Sequence, residues 1–429
     1  MIQTNGLTSA IGWIDFSSEH REKVKTVIDL LASPGVVDEL GIGMIRDSFS
    51  DTLFPGISTI QTRAKYFLTL PRIFRDYKQL KPKERRRVPL ADYLKQHENR
   101  CMTFLNQNHK SDPQDGIIGA SFAEKQGEVQ RKPSSVYWTG LRTFGLIKTQ
   151  LSLQEFVKKY ANPDRPLHDL IEGSDEKKGD DPDAAEDDGH AVNTPSYDET
   201  WHQQLTLHLN FDEATFLARQ IETRVPESLL GQILVDDECR KTFIELPDKW
   251  TFSEFSDACP FMESLSSEIK QVMFAARDFW QLLKGAHIRY NVLLQKQHGT
   301  EAKQGEFEDK WEQWCEEMTQ FQWDRWNTQL LWDLADRHHR QLRKYTKRFV
   351  GKWIETVRES TSDIEALDAL VVQQETLNKK GRARLKPNAE ERAKDWIGID
   401  NLDYRYTQAR TIIKDIHSGL TRSQEAADA

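Results

Sequence analysis

Apolar residues recur every three to four positions along most of the chain, the spacing typical of amphipathic α-helices. Residues 34–74 show it most clearly, with one predicted inner face formed by Ile42, Ile45, Phe49 and Leu53. The corner Phe54-Pro55-Gly56 then separates this helix from a second one, predicted to start at Ser58 or Thr59 with Ile60 facing in. Pro71 should bend or end it. We therefore predict two antiparallel helices joined by a short turn.

The charges of this helical hairpin admit two interpretations. Asp47 and Asp51 would lie near Arg63 and Lys65 on the neighbouring helix. Such a group could form a site, but structural ion pairs use the same residues. We favour the second interpretation and predict an ion pair between Asp47 and Arg63 that fastens the hairpin.

An acidic stretch at residues 173–199 interrupts the periodic pattern. It contains almost no large apolar residue and is rich in Asp and Glu, a composition that cannot bury enough surface to order the chain. We predict a disordered linker between an N-terminal helical domain, 1–172, and a C-terminal helical domain, 200–429. The expected fold class is mainly α with minor short strands. The alternating Leu205, Leu207 and Leu209 predict a short strand or an extended edge.

Residues 131–160 predict two short helices separated by a tight turn and an extended piece. Ser152 and Glu155 form a capping box that begins the second helix. This order is compatible with a helix-turn-helix or winged-helix element surrounded by cations. Trp138 and Phe144, at helical spacing, are more often core residues than a platform for bases.

The periodicity from about residue 306 to 352 predicts one or two long helices, acidic at the start and basic at the end. That polarity complements the helix dipole. The tryptophans of this stretch are expected in the core or at a helix–helix interface. One basic face could track a phosphate backbone, bind an acidic partner or the acidic linker, or be merely solvated; its residues are Arg337, Arg340, Lys344 and Arg348.

Composition limits the classes of function. The net charge of −9 argues against general binding of nucleic acid but leaves room for local basic patches. The four cysteines lie far apart without a CxxC pair, and no phosphate-binding GxxxxGK[ST] loop, HExxH or GxSxG motif occurs. We therefore expect no catalytic residue, metal or cofactor. No stretch reaches the roughly 18 apolar residues of a membrane span, so we predict a cytoplasmic protein without a membrane partner.

Three basic segments supply the candidate contacts to nucleic acid. The first lies in a predicted loop between Pro82 and Pro89, the second surrounds residues 131–160, and the third is the basic face near residue 340. The candidates are Arg85, Arg86, Arg87, Arg131, Lys132, Arg142, Arg340, Lys344, Lys347 and Arg348.

Several strings of residues resemble an uncharacterised bacterial protein family of about this length. They are GWIDFSSEHREK, VDELGIGMIRDSFSDTLFPGISTIQTRAKYFL, PSSVYWTGLRTFGL and YRYTQARTIIKDIHSGL. The resemblance implies an accessory role in antiphage defence, since members are similar to products encoded near helicases and phospholipase D-like nucleases. It implies no catalytic residue.

The sequence as a whole favours a non-enzymatic adaptor or sensor in a bacterial defence complex that acts on DNA. A helicase or a phospholipase D-like nuclease is the expected partner. Two alternatives stay open. One is a divergent metal-dependent nuclease that uses Asp236, Asp237 or Glu238, and the other is a pure protein–protein scaffold.

Overall fold

A computed structural model describes residues 38–111, 115–120, 131–159, 192–386 and 395–428, with side chains up to residue 422. Over these residues the chain forms sixteen α-helices and three short 3-10 helices. In the described residues, extended segments pair through an isolated antiparallel bridge between Ile147 and Val192. The prediction of a mainly α fold is confirmed.

The helices are α1 (Gly43–Leu53), α2 (Tyr66–Gln79), α3 (Pro82–Arg87), α4 (Leu90–Asn108), α5 (Pro133–Thr143), α6 (Leu153–Lys159), α7 (Phe211–Arg224), α8 (Leu229–Val235), α9 (Asp237–Glu245), α10 (Phe252–Ala258), α11 (Ser267–His298), α12 (Glu301–Thr319), α13 (Thr328–Arg337), α14 (Lys344–Glu359), α15 (Ile364–Lys379) and α16 (Tyr406–Asp428). The 3-10 helices are Met262–Ser264, Trp323–Arg325 and Lys380–Arg382.

The longest helix of the described chain, α11, lies at the centre of the packing and contacts α1, α10, α12, α14 and α15. Gly285 allows α12 to approach closely, since a Cβ at this position would lie 2.5 Å from the Trp314 ring. The Trp314 indole N–H donates to the Gln281 carbonyl at 2.8 Å. Trp311 and Trp314 are buried, which confirms the predicted core position of these tryptophans.

The N-terminal hairpin differs from its prediction in the second helix. α1 forms as expected, with Ile45, Phe49 and Leu53 buried. α2 starts only at Tyr66, and Ile60 is exposed. The intervening backbone is held by side chains instead: the Tyr137 hydroxyl accepts the N–H groups of Thr62 and Arg63 at 2.9 and 3.0 Å. Pro71 does not end α2, which continues to Gln79.

Residues 306–352 do not form the predicted long helices. α12 ends at Thr319, and Asn327 caps a separate helix α13 by accepting the N–H of Gln329 at 3.0 Å. α13 ends before His339, whose φ of 52° lies in the left-handed region. A third helix, α14, starts at Lys344. The apolar rhythm continues across these breaks, because each short helix packs on the same core.

The predicted strand at Leu205, Leu207 and Leu209 is wrong. All three side chains are buried, but the segment is irregular. Side chains from the end of α4 satisfy its backbone: His109 Nε2 accepts the Leu207 N–H at 2.9 Å, and the Asn108 amide donates to the Leu205 carbonyl at 2.9 Å. Burial alone therefore produced the alternating pattern.

Most of the predicted linker, residues 173–191, lies outside the described residues. Residues 192–199 are described and contact the N-terminal half, where the Tyr197 hydroxyl donates to Asp76 at 2.7 Å. Helices from both sides of the acidic stretch share one contiguous hydrophobic core, in which α1 packs on α11 and α13 and α2 packs on α7. The division into two domains stays a prediction.

Candidate functional site

The first turn of α14 holds cations where the helix dipole favours anions. Lys344 and Lys347 lie in this turn, Arg348 follows directly, and Arg343 occupies the N-cap position without a side-chain cap. No acidic residue lies in the turn. Because a helix N-terminus carries about half a positive charge, this placement repels its own cations and attracts an external anion.

A groove of about 310 Å³ lies between α14 and α15 beside this turn. Lys344, Arg348 and Lys352 line one wall, and their spacing of four residues places them on a single stripe of α14. The rest of the lining is aromatic, apolar or amide and includes no carboxylate: Tyr345, Phe349, Leu370, Gln373, Gln374 and Leu377. The groove therefore combines positive charge with neutral side chains.

The three groove cations have no ion pair or side-chain hydrogen bond to the part of the chain that the structure describes. Their neighbours are engaged. Lys347 Nζ lies 5.5 Å from the centre of the Trp332 ring, and the Arg343 guanidinium lies 5.7 Å from that of Tyr345. The floor is fixed by Gln374, which donates to the Leu40 carbonyl at 2.6 Å. Among the cations at the start of α14, those that line the groove are therefore available to an external anion.

Arg340 does not belong to this groove, so the predicted basic face is wrong. The break after α13 turns Arg340 towards α1, where it forms an ion pair with Asp51. The other oxygen of Asp51 accepts from Arg405 at 2.6 Å. Lys344 and Arg348 are thus the members of that face that line the groove. Lys352 was not among the candidates, although its position four residues after Arg348 indicates the same stripe.

The candidates Arg85, Arg86 and Arg87 lie in the short helix α3 and not in the predicted loop. Arg86 and Arg87 are exposed and Arg85 is half-buried. A capping interaction begins this helix: the Glu84 side chain accepts the Lys81 N–H at 2.8 Å. None of the three lines the α14–α15 groove.

The segment predicted as a helix-turn-helix forms the helices α5 and α6. Trp138 and Phe144 are buried, which confirms their interpretation as core residues. Arg142 donates to the Thr149 carbonyl at 3.0 Å and so fastens the turn between the helices. Lys132 is the N-cap residue of α5, and Arg131 beside it is half-buried. Binding of DNA by this element stays a prediction.

The predicted ion pair between Asp47 and Arg63 is wrong. Asp47 accepts from the neighbouring Arg46 at 2.9 Å. Arg63 instead donates to both oxygens of Asp415 on α16, at 2.8 to 3.0 Å, and Asp415 also accepts the Ala64 N–H at 2.8 Å. The hairpin is therefore fastened to the last helix, because the extended residues before α2 carry Arg63 away from α1.

The acids proposed for a divergent nuclease take part in local structure. Asp236 caps α9 by accepting the N–H groups of Glu238 and Cys239 at 2.8 and 2.9 Å. These bonds, the one from Cys239 first, lower the pKa of Asp236. Asp237 forms an ion pair with Arg240. Across the described ranges no group of three or more His, Cys, Asp or Glu residues could hold a metal ion.

None of the helices in the described residues is both long enough and apolar enough to cross a bilayer. α11 has the length, but charged and polar residues recur along it.

A family model described as a family of unknown function (DUF6361) matches residues 8–418. The chain belongs to this family, whose model covers α1 to most of α16. Comparison with curated proteins found no match, and neither did comparison with solved structures.

Proposed function

We propose that this member of the DUF6361 family binds the phosphate backbone of DNA in the α14–α15 groove and acts as a non-enzymatic adaptor or sensor. One observation supports the proposal above all: Lys344, Arg348 and Lys352 form a stripe of unpaired cations beside a helix N-terminus. Charges that stabilise no neighbour in the fold are available to an external anion.

The chemistry of the groove favours binding over catalysis. Cations contact phosphate, and the amide of Gln373 and the ring of Tyr345 can meet a sugar or a base. The lining holds no carboxylate or imidazole that could serve as a general base. The net charge of −9 should keep binding local to basic surfaces such as this groove, because the chain as a whole is negatively charged.

The biological setting follows from the family resemblance. We propose that the bound DNA is a target of a bacterial defence complex, and that a helicase or a phospholipase D-like nuclease supplies the catalytic activity. In the cytoplasm, the protein would then position the DNA for that subunit as an adaptor, or signal its presence to that subunit as a sensor.

Salt-dependent DNA binding tests the groove directly. Fluorescence anisotropy of a labelled duplex should give saturable binding to the purified full-length protein at low salt. The triple variant Lys344→Ala, Arg348→Ala, Lys352→Ala should bind at least tenfold more weakly. Each phosphate contact contributes about 0.9 to the slope of log affinity against log salt, so loss of three contacts should flatten the slope by about 2.7.

A matched control removes the same charge elsewhere. Arg219→Ala, Lys241→Ala, Lys249→Ala also replaces one arginine and two lysines, all exposed and outside the groove. It should lower the affinity by a small factor through net charge alone. Equal losses in the two triple variants would show that the groove is not the binding site, and absence of binding by the wild-type protein at low salt would exclude DNA as the ligand.

A further inference from the structure

A second cleft, of about 540 Å³, lies between α2, the segment 196–211 and the end of α16. Its walls contain charged side chains that are buried in the fold, unlike the exposed cations of the α14–α15 groove. The charged lining residues are Lys65, Arg72, Asp198, Glu213 and Arg422. The volume lies in the range of small-molecule sites.

Glu213 forms the base of this cleft and is fully engaged. Its oxygens accept from Lys65 Nζ at 2.8 and 2.7 Å, from Arg72 Nη2 at 2.8 Å and from the Asn210 N–H at 2.9 Å. Lys65 donates its remaining proton to the His208 carbonyl at 3.1 Å. Neither Lys65 nor Glu213 therefore has hydrogen-bonding capacity to spare.

Arg72 has spare capacity. Its guanidinium carbon lies 5.2 Å from the centre of the Tyr197 ring and 5.7 Å from that of Trp201. Asp76 holds both rings by accepting from Tyr197 at 2.7 Å and from Trp201 at 2.9 Å. Arg72 donates to Glu213 through Nη2 alone, and its buried Nε has no hydrogen-bond partner. A side chain that is 5% exposed is thus rigidly held with donors unused.

The charge of the lining is unbalanced. Two buried cations, Lys65 and Arg72, share the buried carboxylate of Glu213, while the second lining carboxylate, Asp198, is exposed to solvent. An unmatched charge inside a protein is costly. Arg422 adds a third cation at the rim, where its Nη2 lies 3.0 Å from His208 Nδ1. Burial and then the charge of Arg422 lower the pKa of His208, so the imidazole stays neutral and can accept from Arg422.

We propose that this cleft is a second ligand site, which binds a small molecule through an anionic phosphate or carboxylate group held by Arg72 and Arg422. Both oxyanions match the planar donors of arginine. The anion supplies the missing negative charge beside the buried cations. The site is independent of the DNA-binding groove, since the two share no lining residue.

Thermal unfolding of the full-length protein tests this site with inorganic phosphate and acetate as probes. At constant ionic strength, replacing chloride with one of these anions should raise the melting temperature in a saturable manner. Arg422→Gln should weaken the apparent affinity for the anion at least tenfold, because a charge-assisted hydrogen bond is lost. Arg72→Lys, which keeps the charge but not the planar donors, should also weaken it.

Controls separate this site from the groove. Arg219→Gln on α7 should respond to the anion like the wild type. The triple variant of Lys344, Arg348 and Lys352 should keep the part of the response that Arg422→Gln removes, since the groove is a separate site. A response to phosphate alone assigns a phosphorylated ligand, and a response to acetate assigns a carboxylate. The proposal is overturned if neither anion shifts the melting temperature, or if Arg422→Gln responds like the wild type. The Arg422→Gln result decides the matter should Arg72→Lys fail to fold.

Discussion

The first turns of α7 and α14 carry opposite charges and make opposite use of them. α7 begins with Asp212 and Glu213, acids where the helix dipole favours them, and Glu213 also completes a capping box with Asn210. α14 begins with Lys344 and Lys347, cations where the dipole disfavours them. Glu213 binds Lys65 and Arg72, whereas Lys344 binds nothing in the described chain.

This difference separates charges that hold the fold from charges that are available to a ligand. A buried carboxylate between two cations stabilises the folded state, and its ion pairs break only when the protein unfolds. An exposed cation at the start of a helix is disfavoured by the helix dipole, and it can bind a ligand without loss to the fold. Substitutions in the two turns should therefore affect different measurements.

The largest effect is expected for Glu213→Gln. The neutral amide leaves Lys65 and Arg72 buried without a counter-charge, and it weakens the cap of α7. Removal of one partner of a buried ion pair costs about 3–5 kcal/mol. Urea denaturation followed by tryptophan fluorescence should show this loss in the free energy of unfolding.

Asp212→Asn is the matched control, since it removes one negative charge from the same turn. Asp212 is exposed, so only its interaction with the dipole is lost, about 0.3–1 kcal/mol. Similar losses for the two variants would mean that burial does not distinguish Glu213, and the comparison would fail.

A smaller effect is expected at Asp51, which joins α1 to Arg340, shortly before α14, and to Arg405, directly before α16. It accepts from Arg340 and Arg405, and its side chain is 24% exposed, so solvent screens both pairs in part. Asp51→Asn should cost about 1.5–3 kcal/mol, the range for hydrogen bonds to charged groups. Thermal unfolding measures the loss.

Asp47→Asn serves as the control for Asp51. Asp47 pairs with the adjacent Arg46, and its distance to Arg405 is 4.0 Å. Its loss should cost less than about 1 kcal/mol, as for other exposed pairs. If Asp47→Asn proved the more damaging change, the assignment of Asp51 as the structural centre of this cluster would be incorrect.

Local signals in the sequence were sufficient for much of the helical structure. The inner face of α1, the capping box of Ser152 and Glu155 and the burial of the tryptophans in α12 depend on neighbouring residues, and all are confirmed. The start of α2 was missed, because Tyr137, more than seventy residues away in the sequence, holds the backbone before it.

Pairings across the chain could not be read from local patterns. Arg63 and Asp415 are 352 positions apart, and Arg340 and Asp51 are 289 apart. The groove illustrates the same limit. Its cationic stripe at 344, 348 and 352 follows from helical spacing, but the facing wall of α15 does not. The break at His339 also changes how the basic residues interact with the helix dipole. The sequence places them at the C-terminal end of one long helix, where cations are favoured, but the structure places them at the start of a new helix, where cations are disfavoured.

The smallest change in stability is expected for the groove variant Lys344→Ala, Arg348→Ala, Lys352→Ala. Removing Lys344 from the first turn of α14 relieves its repulsion with the dipole. Alanine also has a high helix propensity at all three positions. The free energy of unfolding should thus stay within about 1 kcal/mol of the wild-type value or rise slightly, and urea denaturation can measure this beside the loss of DNA binding. A marked destabilisation would show that these cations hold the fold as Glu213 does, and it would remove the reason to regard them as ligand-binding residues.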